Sequence, residues 1–386
     1  SSPADGSQTC SLGEYCALAE CTIANCDTCS SDGATCTTCA GNLINAGTEC
    51  LTEAEAFADW SVPTLFGSFV GMATPSGFQA LQTGYANGGD DKSKAVEMAA
   101  QAFLSQFQDN FDLILVTPYS PQTGTYNSGE FWGASGLGSS TTLRGIININ
   151  MYGDGTTSIP LMHEIGHTWG VFLPESIAPN QTFFSHWGFT ALDKQGQLGG
   201  YARSGVTCQS PSGLTPTQAQ GCTTNVLLFA KDAGSPSTSS DNVGAYSVLE
   251  LMMMGLKTSA DLSGEEMVYC EYPGTFAEDT DHYIVTCNQI VVSTAAELEA
   301  ALSDASKATR LSSGAVLRVA SVVLFPDEVD IPSNLTGDLL WWKEYLEAMP
   351  ALFKAATYDA AELNFQITNA DLKSGASPSP GSLSGP

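Results

Sequence analysis

Residues 158 to 170 read Ser158-Ile-Pro-Leu-Met-His-Glu-Ile-Gly-His-Thr-Trp-Gly170. Within this stretch His163, Glu164 and His167 form an H-E-x-x-H pattern. On a helix, positions i and i+4 share one face, one turn apart. His163 and His167 can then aim two imidazole nitrogens at one metal ion, with Glu164 placed to reach a water rather than the metal. Two fixed neutral ligands, a polarised water and a carboxylate to take its proton are the parts of a zinc hydrolase. Local helix signals agree: Ser158 suits an N-cap, Pro160 is tolerated in a first turn, and Gly170 suits a stop. The chain has only four histidines, His163, His167, His186 and His282, so the spacing does not arise from histidine richness.

The 386 residues can bury a sizeable core. Thirteen basic residues stand against 41 acidic ones, a net charge of −28. Such a surface repels nucleic acid and anionic membranes, so neither is an expected partner. Charged residues are only 14% of the chain, and Gly, Ser and Thr are abundant, which favours strands and long loops over a charged helical bundle. No run of 18 apolar residues occurs, so no membrane span is expected. Ser1-Ser2-Pro3-Ala4 reads as a mature terminus left by cleavage.

Twelve cysteines, an even number, point to an oxidising compartment and a secreted protein. Eight of them, Cys10, Cys16, Cys21, Cys26, Cys29, Cys36, Cys39 and Cys50, crowd the first 50 residues among small polar neighbours. Almost nothing there can build an apolar core, so cross-links must hold this head. A four-cysteine zinc site from Cys26-x-x-Cys29 and Cys36-x-x-Cys39 is the alternative, and disulfides are favoured over it. Cys208 with Cys222 reads as a loop staple, and Cys270 with Cys287 as a clip on a turn-rich segment. Asn180 and Asn334 head glycosylation sequons.

Along the chain, Glu53 to Trp60 reads as a short helix and Lys92 to Asp109 as a longer one with Val96, Ala99, Ala100, Phe103 and Phe107 on one face. Phe111 to Thr117 reads as a strand buried on both faces. A Gly/Ser-rich loop is expected over 120–142, an alternating strand over Arg144 to Met151, and a long loop over 171–245. Tyr246 to Leu256 is densely apolar. A helix capped by Ser293 or Thr294 runs through Ser303, Ala315 to Phe325 forms a strand, and Thr336 to Thr357 forms an amphipathic helix carrying Trp341, Trp342, Leu346, Met349 and Phe353. From Lys373 the chain is low-complexity and contributes no core. The expected divisions are a disulfide-rich module at 1–51, a catalytic domain at 52–372 and a Ser/Pro/Gly-rich tail at 373–386.

A third ligand must come from outside the motif helix. His186 is the preferred residue, in a turn flanked by Trp187 and Gly188. Asp193 is the reserve, Glu175 and His282 come after it, and His282 beside Asp281 reads as a surface residue.

The chain from about 90 to 360 resembles a zincin metallopeptidase of metzincin-like type. His163-Glu-Ile-Gly-His-Thr-Trp-Gly170 is similar to the leishmanolysin and gametolysin form of the motif, although Leu173 stands where the metzincin third histidine belongs. Leishmanolysin-type enzymes displace that histidine downstream, as His186 is here. The block from Ser185-His-Trp-Gly188 through Leu198-Gly-Gly200 to Glu250–Gly255 is also similar to secreted bacterial proteins that carry such a helix. Tyr246 to Leu256 resembles the Met-turn region, with Met254 the preferred Met-turn residue and Met252 and Met253 its competitors. The head is similar to EGF-like and furin-like cysteine-rich repeats.

The resemblance implies an α+β fold, with a mixed twisted sheet, an active-site helix and a small disulfide-rich module. The function it implies is a secreted zinc-dependent endopeptidase acting on peptide or protein substrates. His163, His167 and His186 hold the zinc, Glu164 is the general base, and Tyr246 is the candidate for stabilising the oxyanion. The alternative is an extracellular matrix, cell-wall or appendage protein that uses the same scaffold and assembles through 1–51 and the tail.

Overall fold

A computed structural model describes residues 26–29, 36–39, 44–45, 50–51, 63–73, 90–119, 129–133, 143–149, 161–170, 173–180, 186–208, 225–235, 244–262, 266–272, 275–302, 310–325, 331, 335, 337–374 and 379–380. The chain falls into two compact units. The first takes Ser1–Ser61, Ala73–Met98 and Pro326–Val329, and the second takes Val62–Met72, Ala99–Phe325 and Asp330–Pro386. The head expected at 1–51 lies in the first unit; the candidate site lies in the second.

In the head, strand β1 (Cys26–Cys29) pairs antiparallel with β2 (Cys36–Cys39), and β3 (Ile44–Asn45) with β4 (Cys50–Leu51). Cys26 is disulfide-bonded, which takes it out of a four-cysteine metal site. Cys10, Cys16 and Cys21, the helix expected over 53–60, the N-cap and first turn at Ser158 and Pro160, and Asn334 all lie outside the described residues.

The second unit is built on a large mixed sheet. Its strands are β5 (Thr64–Leu65), β6 (Val70–Ala73), β7 (Leu113–Pro118), β8 (Gly129–Gly133), β9 (Gly145–Ile149), β19 (Ala315–Phe325), β20 (Ala361–Asn364) and β21 (Ser379–Pro380). The order is β21-β5-β6-β19-β7-β9-β8, with β20 also on β19. Strand β19 runs parallel to β7 through Val319–Leu324 and parallel to β20 through Ala315–Arg318. Strands β7 and β9 are parallel, and β8 is an antiparallel edge strand. Apolar runs make this centre: Leu113 to Val116 and Ile146 to Ile147 are fully buried, as expected of strands covered on both faces. Helix α1 (Asp90–Gln106) precedes β7, and Val96, Ala99, Ala100 and Phe103 on it are buried, with Phe107 just beyond its end. Helix α2 (Leu161–His167) follows β9 in the chain and packs against β8 and β9.

Two smaller sheets combine five strands from the 171–245 segment expected to be loop with four strands that follow it. One has the order β14-β11-β10-β15-β18, from β10 (Thr190–Leu192), β11 (Gly200–Ala202), β14 (Gly234–Ser235), β15 (Glu266–Cys270) and β18 (Ile290–Thr294). The other has the order β12-β13-β17-β16, from β12 (Val206–Cys208), β13 (Val226–Ala230), β16 (Ala277–Glu278) and β17 (His282–Thr286). A core of Phe189, Tyr201, Leu227, Phe229, Val268 and Val285 joins them. So does the Cys270–Cys287 disulfide, which was expected. Cys208 is also disulfide-bonded, while Cys222 lies outside the described residues.

Two further expectations need correction. The 120–142 loop contains strand β8. The stretch Tyr246 to Leu256 contains no Met-turn: Val248–Met254 is helix α3, started by a Ser247–Glu250 capping box and stopped at Gly255 in the left-handed region, φ 87°. Leu and Met are good helix formers, and a capped start with a glycine stop selects helix over turn. In the tail, Ser379–Pro380 pairs with β5.

Helix α4 (Ala295–Leu302) is capped by Thr294 through Glu297, and helix α5 (Gly337–Ala356) buries Trp342, Leu346, Met349 and Phe353. The fold class is therefore α+β. No helix among the described residues is long and apolar enough to cross a membrane.

Candidate metal centre

Helix α2 places His163 and His167 one turn apart with their rings edge to face, centroids 4.5 Å apart. The chain then leaves the helix, passes Leu173, which is buried, and returns at His186. The Nε2 of His163 lies 2.9 Å from the Nε2 of His167 and 2.9 Å from the Nε2 of His186. These three are the one group of three or more His, Cys, Asp or Glu side chains, among the described residues, close enough to hold a metal ion. His163 is buried, and His167 and His186 are half-buried. Glu164 is buried beside them on α2.

The proton positions follow from the surroundings. His163 Nδ1 sits 2.6 Å from the carbonyl oxygen of Gln197. A carbonyl only accepts, so Nδ1 carries the hydrogen, and Nε2 of the neutral ring presents a lone pair to the other two histidines. Burial lowers the His163 pKa to about 4. It lowers that of His167 to about 2, with the neighbouring His163 and His186 rings pushing the same way. Three converging ring nitrogens, two of them on rings that resist protonation, are a poor hydrogen-bond cluster and a good cation site. A histidine whose other nitrogen donates to a carbonyl is the usual form of a metal ligand. The residues present therefore fit a metal with imidazole preference, of which zinc is one.

The loop that supplies the Gln197 carbonyl is closed on itself: Gly196 and Gly199 exchange backbone hydrogen bonds of 3.1 and 3.4 Å. Its Leu198 carbonyl accepts from the Trp187 amide at 3.3 Å, next to His186. Leu198 also lies 3.6 Å from the position a Cβ would take on Gly166 in the middle of α2. The Leu198 amide donates to Glu250 Oε1 at 2.6 Å. Gln197, Leu198 and Glu250 were not assigned roles from sequence, although Ser247-x-x-Glu250 carries the capping-box pattern in plain view.

The other expected site residues lie elsewhere. Tyr246 is fully buried and donates its hydroxyl to the Met162 carbonyl at 2.6 Å, while its backbone amide donates to Ala356 at the end of α5. It braces the backbone just before His163, so the oxyanion role is withdrawn. A phenol is amphipathic, and buried it takes the nearest strong acceptor. Asp193 accepts from the Val248 amide at 3.3 Å, at the start of α3. Glu175 is exposed in a turn. His282 opens β17 and faces Asp279 at 3.3 Å. Met254 is buried in the last turn of α3, with its carbonyl accepting from Leu311. Asn180 is exposed at φ 54°, which asparagine tolerates, and its amide donates to Glu271.

Comparison with known proteins returns nothing here. No family model, no curated protein and no solved structure matches the chain.

Proposed function

We propose that the chain is a secreted zinc-dependent endopeptidase. The observation that carries this reading is the convergence of His163, His167 and His186 Nε2 atoms on one point, with Glu164 buried beside them. His163, His167 and His186 would hold the zinc, and three protein ligands rather than four are the set of a catalytic rather than a structural site. A zinc ion bound by them would supply Lewis-acid chemistry at this point. Glu164 accepts a proton from the attacking water and returns it to the leaving amine nitrogen. Gln197, through its carbonyl, keeps His163 in the ligating tautomer.

The zincin-like reading is supported by the order α1, β7, β8, β9, α2 and by the packing of α2 against the antiparallel edge of the sheet. Secretion is supported by the disulfides, which persist in oxidising compartments. The test is incubation of the full chain with a mixed peptide library. Cleavage abolished by a chelator and restored by zinc is expected, and an inert chain with zinc bound would contradict the enzyme reading.

A further inference from the structure

A capping-box glutamate ordinarily sits at a helix surface and returns one hydrogen bond to the N-cap amide. Glu250 does this for α3: Oε2 accepts from the Ser247 amide at 2.7 Å and from the Ser247 hydroxyl at 3.1 Å. Three features go beyond that role. The side chain is buried, with 2% exposure. Its other oxygen is spent on a different segment, accepting from the Leu198 amide at 2.6 Å, and the Gln197 amide donates to the carboxylate as well. Gly196 lies so close that a Cβ there would strike the carboxyl group.

Every group that these contacts aim at Glu250 is a donor, so the ionised form is the one they satisfy, although burial pushes its pKa up to about 7. Burying a carboxylate is costly unless its hydrogen bonds are complete. The α3 cap alone does not require it, since an exposed glutamate would serve. The segment held by Glu250 is the one that orients the histidine cluster. Gln197 turns its carbonyl to His163 Nδ1, and Leu198 turns its carbonyl to the amide next to His186.

We infer that Glu250 is a positioning residue for the metal centre. Its buried carboxylate clamps the Gln197–Leu198 amides, so the carbonyls of the same two residues hold two of the three histidines in ligating geometry. The inference rests on the metal reading proposed above. It assigns the centre an anionic support that touches neither metal nor substrate. It also explains why Gly196 must lack a side chain.

The experiment loads the full chain with cobalt(II) and reads both its affinity, by competition with a chelator, and its visible ligand-field band. Glu250→Gln turns an amide N–H toward donors. Gly196→Ala keeps the carboxylate but displaces it. Ser247→Ala removes part of the α3 cap and one donor to Oε2, and leaves the Ser247, Gln197 and Leu198 amides on the carboxylate. Glu250→Gln and Gly196→Ala should each weaken cobalt binding by ~10 to 100-fold, the usual effect of losing an outer support of a metal ligand, and should shift the band. Ser247→Ala should lower the melting temperature with affinity and band unchanged. Should Glu250→Gln not fold, Gly196→Ala decides. Variants that match a cobalt-binding parent in affinity and band overturn the positioning role alone. Ser247→Ala reproducing their loss also overturns it, because the effect would then belong to the helix cap. A parent that takes up no cobalt overturns the metal reading and this inference with it.

Discussion

In the eight-stranded sheet, β7 and β9 are buried along nearly their whole length, whereas β13 alternates and β17 and β18 are only partly covered. The first region is held by apolar burial on two faces and supports α2. The second is held by a compact aromatic core and the Cys270–Cys287 cross-link; it starts just after His186 and carries Gln197 between β10 and β11. The candidate centre takes two ligands from the first region and one from the segment that leads into the second. Its geometry therefore depends on the less deeply buried partner as much as on the motif helix.

The largest effect expected separates chemistry from both regions. Glu164→Gln keeps the shape of the side chain and cannot take a proton, so peptide cleavage should fall ~10² to 10⁴-fold with zinc content unchanged. Peptide turnover together with metal analysis checks it, and near-parental turnover would remove Glu164 from the mechanism.

Ile147→Ala in β9 should then cost about 2–5 kcal/mol, because the side chain is fully buried and the sheet around it cannot collapse onto the cavity. Denaturant unfolding measures this. The account expects the molecules that remain folded to keep their zinc.

Replacing both Cys270 and Cys287 with Ser removes a link that closes a 17-residue separation, worth about 3 kcal/mol. Here the loss should be regional. Amide exchange should quicken in β13, β15 and β17 before it does in β7 and β9. Uniform quickening would show that the two regions do not unfold separately.

Acid provides a finer probe. The folded-state pKa values of His163 and His167 lie below the ordinary 6.5, at about 4 and about 2. As pH falls below 6.5, the unfolded chain binds protons that the folded chain refuses, so metal-free protein loses stability between 6.5 and about 4 through His163 and further through His167. Above 6.5 both states are neutral and this contribution is flat. Urea midpoints of chelator-treated protein across that range should fall with acidity, and a rise would contradict the burial of the rings.

The smallest effect belongs to Gly166→Ala. A Cβ there would meet Leu198 and Tyr246 at 3.6 Å, an ordinary contact, and alanine favours a helix over glycine by about 1 kcal/mol. Stability should rise by that much or less.

The same contrast explains what could be read in advance. The strand over Phe111–Thr117, the strand Ala315–Phe325 and the helix at 337–356 announce themselves, because double burial and one-sided burial each impose a simple apolar pattern. The pair His163 and His167 is equally plain, because helical spacing alone brings the two together. Strands β10 to β14 are two to five residues long and lie among glycines and polar residues, so no period emerges and the segment reads as loop. The Met-turn expectation failed because a methionine run is equally good helix, and the Ser247–Glu250 cap decided the matter. Tyr246 lies close to α2, as its place in the chain suggested, but its hydroxyl direction depends on the Met162 carbonyl, which no spacing reveals. Gln197 enters the site through its backbone, and backbone roles leave no residue signature.

The central claim is that His163, His167 and His186 hold one metal through their Nε2 atoms. Its most direct test is the zinc content of the full chain and of His186→Ala after exhaustive dialysis, with the zinc absorption edge recorded on the parent. The account predicts one zinc per chain in the parent, a first shell of imidazole nitrogens, and near-complete loss of zinc in His186→Ala. Zinc retained at parental stoichiometry in His186→Ala, or a parent with none, would contradict it.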